Sequence, residues 1–352
     1  MMKDHFQTAL VLGATDLHLE ENGSAYARVL GELQPLADCS AEEYDMYLTD
    51  LLARHASSHT IVEKSIDDVK DFSCEDEKGM RMRVRCYRSQ GRRSMAVRFL
   101  PKEVPPMSSL KWPGAIQALC GRRQGMILVT GASGSGKSTT LAAMLMQIAS
   151  TRACHIVTYE NPVEYRLDNV KALIHQCEVS RDAGSFCQGA EDALRMDADV
   201  IMLGELTDLD TMRAALRLSE SGHLVLATMH AASSAEAVAY FIEHFASEEQ
   251  QLIRHQLAAQ LDAVITQRLL RHSSQMKMIA AYEVLLNDQA VSHQIREGVL
   301  NQLDNSIESG RSTGMISLEE SLAGLVKAGS VTLGAALQAA NHPERMKRLL
   351  ER

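Results

Sequence analysis

Between the apolar run MILVTG (126–131) and the segment KSTTLAAMLMQIA (137–149) lies GASGSGKST, Gly131 to Thr139. No other stretch limits the possible folds of the chain as sharply. A strand that turns through glycines directly into a helix aims backbone N–H groups and a helix N-terminus at one spot, the arrangement that cradles phosphate. The pattern G-x-x-x-x-G-K-[ST] therefore asks for an α/β core. Gly134 and Gly136 let the backbone curl around the anion, Lys137 offers a point charge to the β and γ phosphates, and the Ser138 hydroxyl can ligate Mg²⁺. With Ser133, Ser135 and Thr139 they form the candidate ATP-binding loop, in which Ser138 is the metal ligand. Leu141, Met144, Leu145 and Ile148 share one face of the helix that follows.

The 352 residues, 45% apolar and 23% charged, have room for two domains of roughly 100–200 residues each. Four of the seven prolines cluster in RFLPKEVPPMSSLKWPG (98–114), where periodicity fails. This places an N-terminal domain at 1–98, a linker at 99–114 and a second domain at 115–352. Upstream, DLHLE and MRMRVRCY alternate as strands and AEEYDMYLTDLLARHA has helical spacing, which together predict a small α+β unit. Downstream, HIVTYE (155–160), VIMLGE (200–205), HLVLATMH (223–230) and IAAYEVLL (279–286) alternate with helix-period segments. A mainly parallel sheet covered by helices is expected, with a purely helical region from about residue 288.

A formal charge of −9 argues against binding nucleic acid or a membrane surface through overall charge. The seven cysteines contain no C-x-x-C pair, which predicts neither a zinc site nor a disulfide framework and fits a reducing cytosol. The start, MMKDHFQTALVLGATD, has a charge pair at Lys3-Asp4 and a broken apolar stretch, unlike a signal peptide. No run approaches the ~18 apolar residues of a membrane span. Any membrane contact is expected to pass through a partner.

A bound phosphoanhydride is cut only if a carboxylate can orient or deprotonate water. Glu160 ends HIVTYE and Glu205 ends VIMLGE, and open α/β sheets place ligand-contacting groups at that edge. Glu164, in the adjoining NPVEY, reads more simply as a local salt-bridge partner. TDLDTMRAALRLSESG then predicts a helix capped by Thr207 or Asp208, with Leu209, Met212 and Leu216 on one face and Gly222 at its end. The chain returns through HLVLATMH, which puts His230 at the same edge as the two glutamates. His223 starts that strand and belongs farther away, where it matters only near a subunit boundary. Seven residues of strand separate the two histidines, too far for one metal.

Taken in order, GASGSGKSTTLAAM, IVTYENPVEY, DADVIMLGELTD and SGHLVLATMH resemble the Walker A segment, acidic box, atypical Walker B segment and histidine box of a known family. It is the PilT branch of the type II/type IV secretion-system ATPases, hexameric motors that retract type IV pili. ATDLHLEENGSAYARVLGEL and MRMRVRCYRSQGRRSMAVRFLP resemble its PAS-like N-terminal domain, and AVSHQIREG its signature helix. SIESGRSTGMISLEESLAGLVKAG resembles the C-terminal helices that follow.

The resemblance implies a RecA-like P-loop core that hydrolyses Mg-ATP. It implies a homohexamer pulling on an inner-membrane pilus platform protein, opposed by an extension ATPase and peripheral to the inner membrane, with no direct nucleic-acid partner. By the same resemblance Glu160 activates water, Glu205 orients water or the metal-bound shell, His230 senses the γ-phosphate and His223 contacts nucleotide. Arg83 and Arg98, with Arg81 a lesser candidate, stabilise developing charge. The chain departs from the pattern at Asn161, Thr207 and Ser292, where relatives carry aspartate, arginine and arginine. An accessory, extension, secretion or DNA-transfer motor, or a non-hydrolysing regulatory subunit, are the rival expectations.

Overall fold

Alternation of apolar and polar residues along the N-terminal strands gives a sheet with one greasy face. The computed structural model describes residues 5–58 and 71–351, so Lys3 and Asp4 lie outside the described residues. The chain divides into two units, Met1–Glu103 and Val104–Arg352.

In the first unit, β1 (Asp16–Glu20), β2 (Ala25–Val29), β3 (Glu32–Pro35), β4 (Asp71–Glu75), β5 (Arg81–Ser89) and β6 (Arg92–Leu100) form an antiparallel sheet in the order β3-β2-β1-β6-β5-β4. Leu17, Leu19, Ala27, Val84, Met95 and Val97 pack with Tyr44, Leu48 and Leu51 of the helix Ala41–Ser58. Burying apolar area in this way stabilises the unit by about 25 cal/mol per Å². A capping box starts that helix: Ser40 N–H donates to Glu43 Oε2 at 2.9 Å and Glu43 N–H to Ser40 Oγ at 3.2 Å.

His5, Cys39 and Glu43 approach within 4.8 Å of one another. Each is already hydrogen-bonded, His5 Nε2 donating to Ala37 O at 2.9 Å. Burial pushes the Cys39 thiol up to about 11, away from the thiolate that a metal needs. The three groups are a polar seam between the helices His5–Val11 and Ala41–Ser58.

The second unit holds β7 (Gly125–Thr130), β8 (His155–Glu160), β9 (Leu173–Glu178), β10 (Val200–Leu203), β11 (Leu224–Met229), β12 (Leu261–Arg271) and β13 (Met278–Leu286). Their order is β13-β12-β7-β11-β10-β8-β9, parallel except for β13. The helix Lys137–Thr151 buries Leu141, Met144, Leu145 and Ile148 against it.

In the second unit two strands, β9 and β12, are not expected from the pattern. LDAVITQRLLR is an apolar run whose periodicity does not separate a buried strand from a helix, and LIHQCE alternates only weakly. Strand β6 takes Phe99 and Leu100 of the segment read as linker, and Met107–Leu110 is helical. After β13 the chain is helical, apart from one bridge, Val284 to Ile316. No helix among the described residues is long and apolar enough to cross a membrane.

Candidate active site

Parallel strands share a carboxyl edge, and four of them deliver chemistry to it. β7 runs into the phosphate loop, β8 ends on Glu160, β10 stops at Leu203 just before Gly204-Glu205, and β11 stops at Met229 just before His230. Register holds these ends level: Thr130 lies opposite Met229, and Leu203 lies opposite both Ala227 and Tyr159.

The phosphate loop has the geometry its sequence predicts. Gly134 and Gly136 adopt φ 75° and 91°, which only glycine takes without strain. Lys137 Nζ donates to Gly131 O at 2.8 Å and Ala132 O at 3.1 Å, and lies 3.5 Å from His230 Nδ1. Burial pulls the lysine pKa down, against the attraction of Glu205 and Glu164, which supports its charge. Ser135 Oγ is buried without a hydrogen-bond partner. A curled backbone, a helix N-terminus, a lysine and a spare hydroxyl fit a phosphate chain, and the half-buried Ser138 at the helix start fits its metal.

His230 continues the chain of contacts, with Nε2 at 2.6 Å from Glu205 Oε1. In the neutral tautomer with its proton on Nε2, the ring donates to Glu205 and turns the Nδ1 lone pair toward Lys137. Lys137, His230 and Glu205 thus form one contiguous set.

Glu160 is in a different setting. It is 9% exposed, and its Oε1 accepts hydrogen bonds from Thr158 Oγ1 at 2.7 Å and Gln176 Nε2 at 3.0 Å. Burial raises its pKa, and the donors Thr158, Gln176 and the Glu164 backbone N–H offset only part of that rise. Gln176 is fixed in turn by donating to Tyr165 O at 2.8 Å, while Tyr165 OH pairs with Thr139 Oγ1 at 2.8 Å.

Gly204 explains the ending of VIMLGE. A Cβ there would stand 3.0 Å from Tyr159 O, 3.2 Å from the Phe186 ring and 3.3 Å from Glu160 Cα. The residue lets the ends of β8 and β10 close up, and Gly204 N–H donates to Tyr159 O at 2.8 Å.

The other sequence-derived candidates are His223, in the second unit, and Arg83 and Arg98, in the first. His223 sits at the opposite, amino edge, where its carbonyl accepts from Gly125 N–H and its Nδ1 lies 3.0 Å from Leu218 O. Six residues of β11 put it about 20 Å from His230. Arg83 and Arg98 face each other in register on β5 and β6. Such like charges repel, and two carboxylates relieve them: Asp16 at 2.8 Å from Arg98 Nε and Asp71 at 3.7 Å from Arg83 Nε. Both arginines keep much of their surface exposed.

Of the departures, Asn161 and Thr207 are exposed, and Ser292 Oγ donates to Ala258 O at 3.0 Å. Asp208, not Thr207, caps the following helix, accepting from Thr211 N–H at 2.8 Å. Sequence reasoning missed Gln176, Thr158 and Tyr165. Gln176 could have been found only by recognising β9 as a strand running beside β8.

Comparison with known proteins adds a family. A model described as Type II/IV secretion system protein matches residues 1–339. The "Twitching motility protein" of Neisseria gonorrhoeae is 36% identical over 322 residues, which span 91% of this chain and 85% of that one. The uncharacterized protein YggR of Escherichia coli K12 is 41% identical over 251 residues, 71% of this chain and 77% of that one. The crystal structure of the pilus retraction motor PilT with bound ADP superposes with a TM-score of 0.83 at 32% identity, covering 99% of this chain and 100% of that one.

Proposed function

This chain belongs to the type II/IV secretion system protein family and is an ATPase; from that premise we propose that it is a hexameric motor that powers type IV pilus retraction. The observation that carries this reading is the convergence of Lys137, His230 and Glu205 at the strand edge where Glu160 also ends. Lys137 and the loop N–H groups from Ser133 to Thr139 hold the phosphates of ATP. Ser138 would hold Mg²⁺, which when bound neutralises charge on the phosphate oxygens.

Glu160 takes the proton of the attacking water. Its raised pKa makes it a better base than an exposed carboxylate, provided the pH stays above that value. Glu205 fixes the orientation of His230, and His230 reads the terminal phosphate. Arg83 and Arg98 stabilise charge that develops in the transition state, so their loss should slow turnover more than it weakens binding. His223 contributes only where a neighbouring subunit brings nucleotide to its edge. The motor is proposed to be cytoplasmic and to pull on a platform protein of the inner membrane.

An accessory motor of the same family is the second reading. It rests on family membership, since the 41% identity to YggR, an uncharacterized protein, names no retraction role. Two measurements test the proposal. Purified protein should hydrolyse ATP as a hexamer by mass, and Lys137→Ala should abolish the activity. A deletion strain should be piliated without retracting. Bald cells would instead indicate an extension motor, and normal retraction an accessory one.

A further inference from the structure

Strand β12 places two buried polar residues side by side, Thr266 at 1% exposure and Gln267 at 3%. Neighbours on a strand point to opposite faces of the sheet, so they reach different elements. On one face, Gln267 Oε1 accepts from Thr140 Oγ1 at 2.7 Å, which ties β12 to the first turn of the helix that Lys137 begins. Gln267 also floors the phosphate loop: a Cβ on Gly131 would stand 2.4 Å from its carbonyl oxygen, and one on Gly136 2.7 Å from its Nε2.

On the other face, Thr266 Oγ1 lies 2.9 Å from Thr130 Oγ1 and 3.1 Å from Ser234 Oγ. Thr130 is the last residue of β7 before the loop, and Ser234 opens the helix four residues after His230. Ser234 N–H is held in turn by Glu283 Oε1 at 2.7 Å, from the residue opposite Thr266 on β13.

We propose that Thr266 and Gln267 are positioning residues for hydrolysis, one dipeptide that holds the Lys137 helix on one face of the sheet and the turn after His230 on the other. A buried polar network with its partners satisfied is rigid, and leaving one member unpaired is costly. The clamp holds lysine and histidine to a common strand, keeping them in reach of the same phosphate. Neither residue touches the nucleotide in this proposal. Both act through Lys137 and His230, so the inference rests on the phosphate-contacting roles given to those two.

The test is a pair of double-mutant cycles read on kcat, nucleotide Kd and Tm. Thr140→Val and Gln267→Leu remove the same hydrogen bond, so each should lower kcat by about 10-fold to 100-fold, and the double variant should fall no further. Thr140→Ser keeps the hydroxyl and should restore the parental rate. Thr266→Val should lower kcat in the parental background and add nothing in His230→Ala.

Additive losses in either cycle would overturn the clamp, as would a lowered Tm with unchanged kcat per folded molecule. If Gln267→Leu does not fold, the contrast between Thr140→Val and Thr140→Ser decides: equal rates refute the proposal. Lys137→Ala distinguishes the two levels. If Lys137→Ala is inactive and Thr140→Val runs at the parental rate, only the clamp fails. An active Lys137→Ala would remove the reading on which the clamp rests.

Discussion

β8 and β10 are adjacent and parallel, and each delivers a glutamate at its carboxyl end, yet the two carboxylates live in different media. Glu160 is enclosed, hydrogen-bonded by Thr158 and Gln176, with burial raising its pKa. The Glu205 side chain is 34% exposed and paired with His230. Environments that differ this way assign work: the enclosed carboxylate suits proton transfer, and the exposed one suits holding an imidazole. On the mechanism proposed above, the same residue type one strand apart does two jobs, and solvent access separates them.

The largest expected effect comes from making the two glutamates alike. Glu160→Gln should lower kcat by about 10²–10⁴ with nucleotide affinity kept, because it removes a base and little else. Glu205→Gln acts only through the orientation of His230 and should cost nearer tenfold, roughly 1.4 kcal/mol of barrier. Steady-state rates with a parallel nucleotide-binding titration measure both. A larger loss at Glu205 would reverse the assignment.

A subtler change sharpens the contrast through pH. Gln176 Nε2 donates to the Glu160 carboxylate and favours its charged form. Gln176→Leu should therefore raise the Glu160 pKa further and move the acid limb of kcat to higher pH. Glu205→Gln should leave that limb in place. A limb that stays put in Gln176→Leu would show that Glu160 does not set it.

The smallest effect is on stability. A carboxyl whose folded pKa is raised by burial contributes stability below its unfolded value and loses it as pH rises through the folded one. Above that window Glu160→Gln should be more stable than the parent while nearly inactive. A gain of the order of 1 kcal/mol would appear as a rise of about 2–4 °C in Tm. Thermal unfolding at pH 5 and pH 8 reads it, and a gain confined to pH 5 would contradict the sign.

Much of this edge was legible beforehand. The strand, loop and helix of the phosphate site follow from local chemistry, since glycine freedom and helix periodicity are properties of neighbours in the chain. Glu160, Glu205 and His230 were legible for the same reason, as polar residues terminating apolar runs. β12 and β9 were not, because a buried run carries no phase that tells strand from helix. With those strands went Gln176, Thr266 and Gln267, side chains that matter only through partners distant in the chain.

The sequence by itself determined that this chain is a P-loop α/β ATPase with acids and a histidine at one sheet edge. Only the tertiary structure decided that His230 pairs with Glu205 and that Glu160 is the enclosed carboxylate. The physical reason is that solvent access and long-range pairing depend on which strands lie side by side. Here Gly204, by giving up its side chain, lets two of them close.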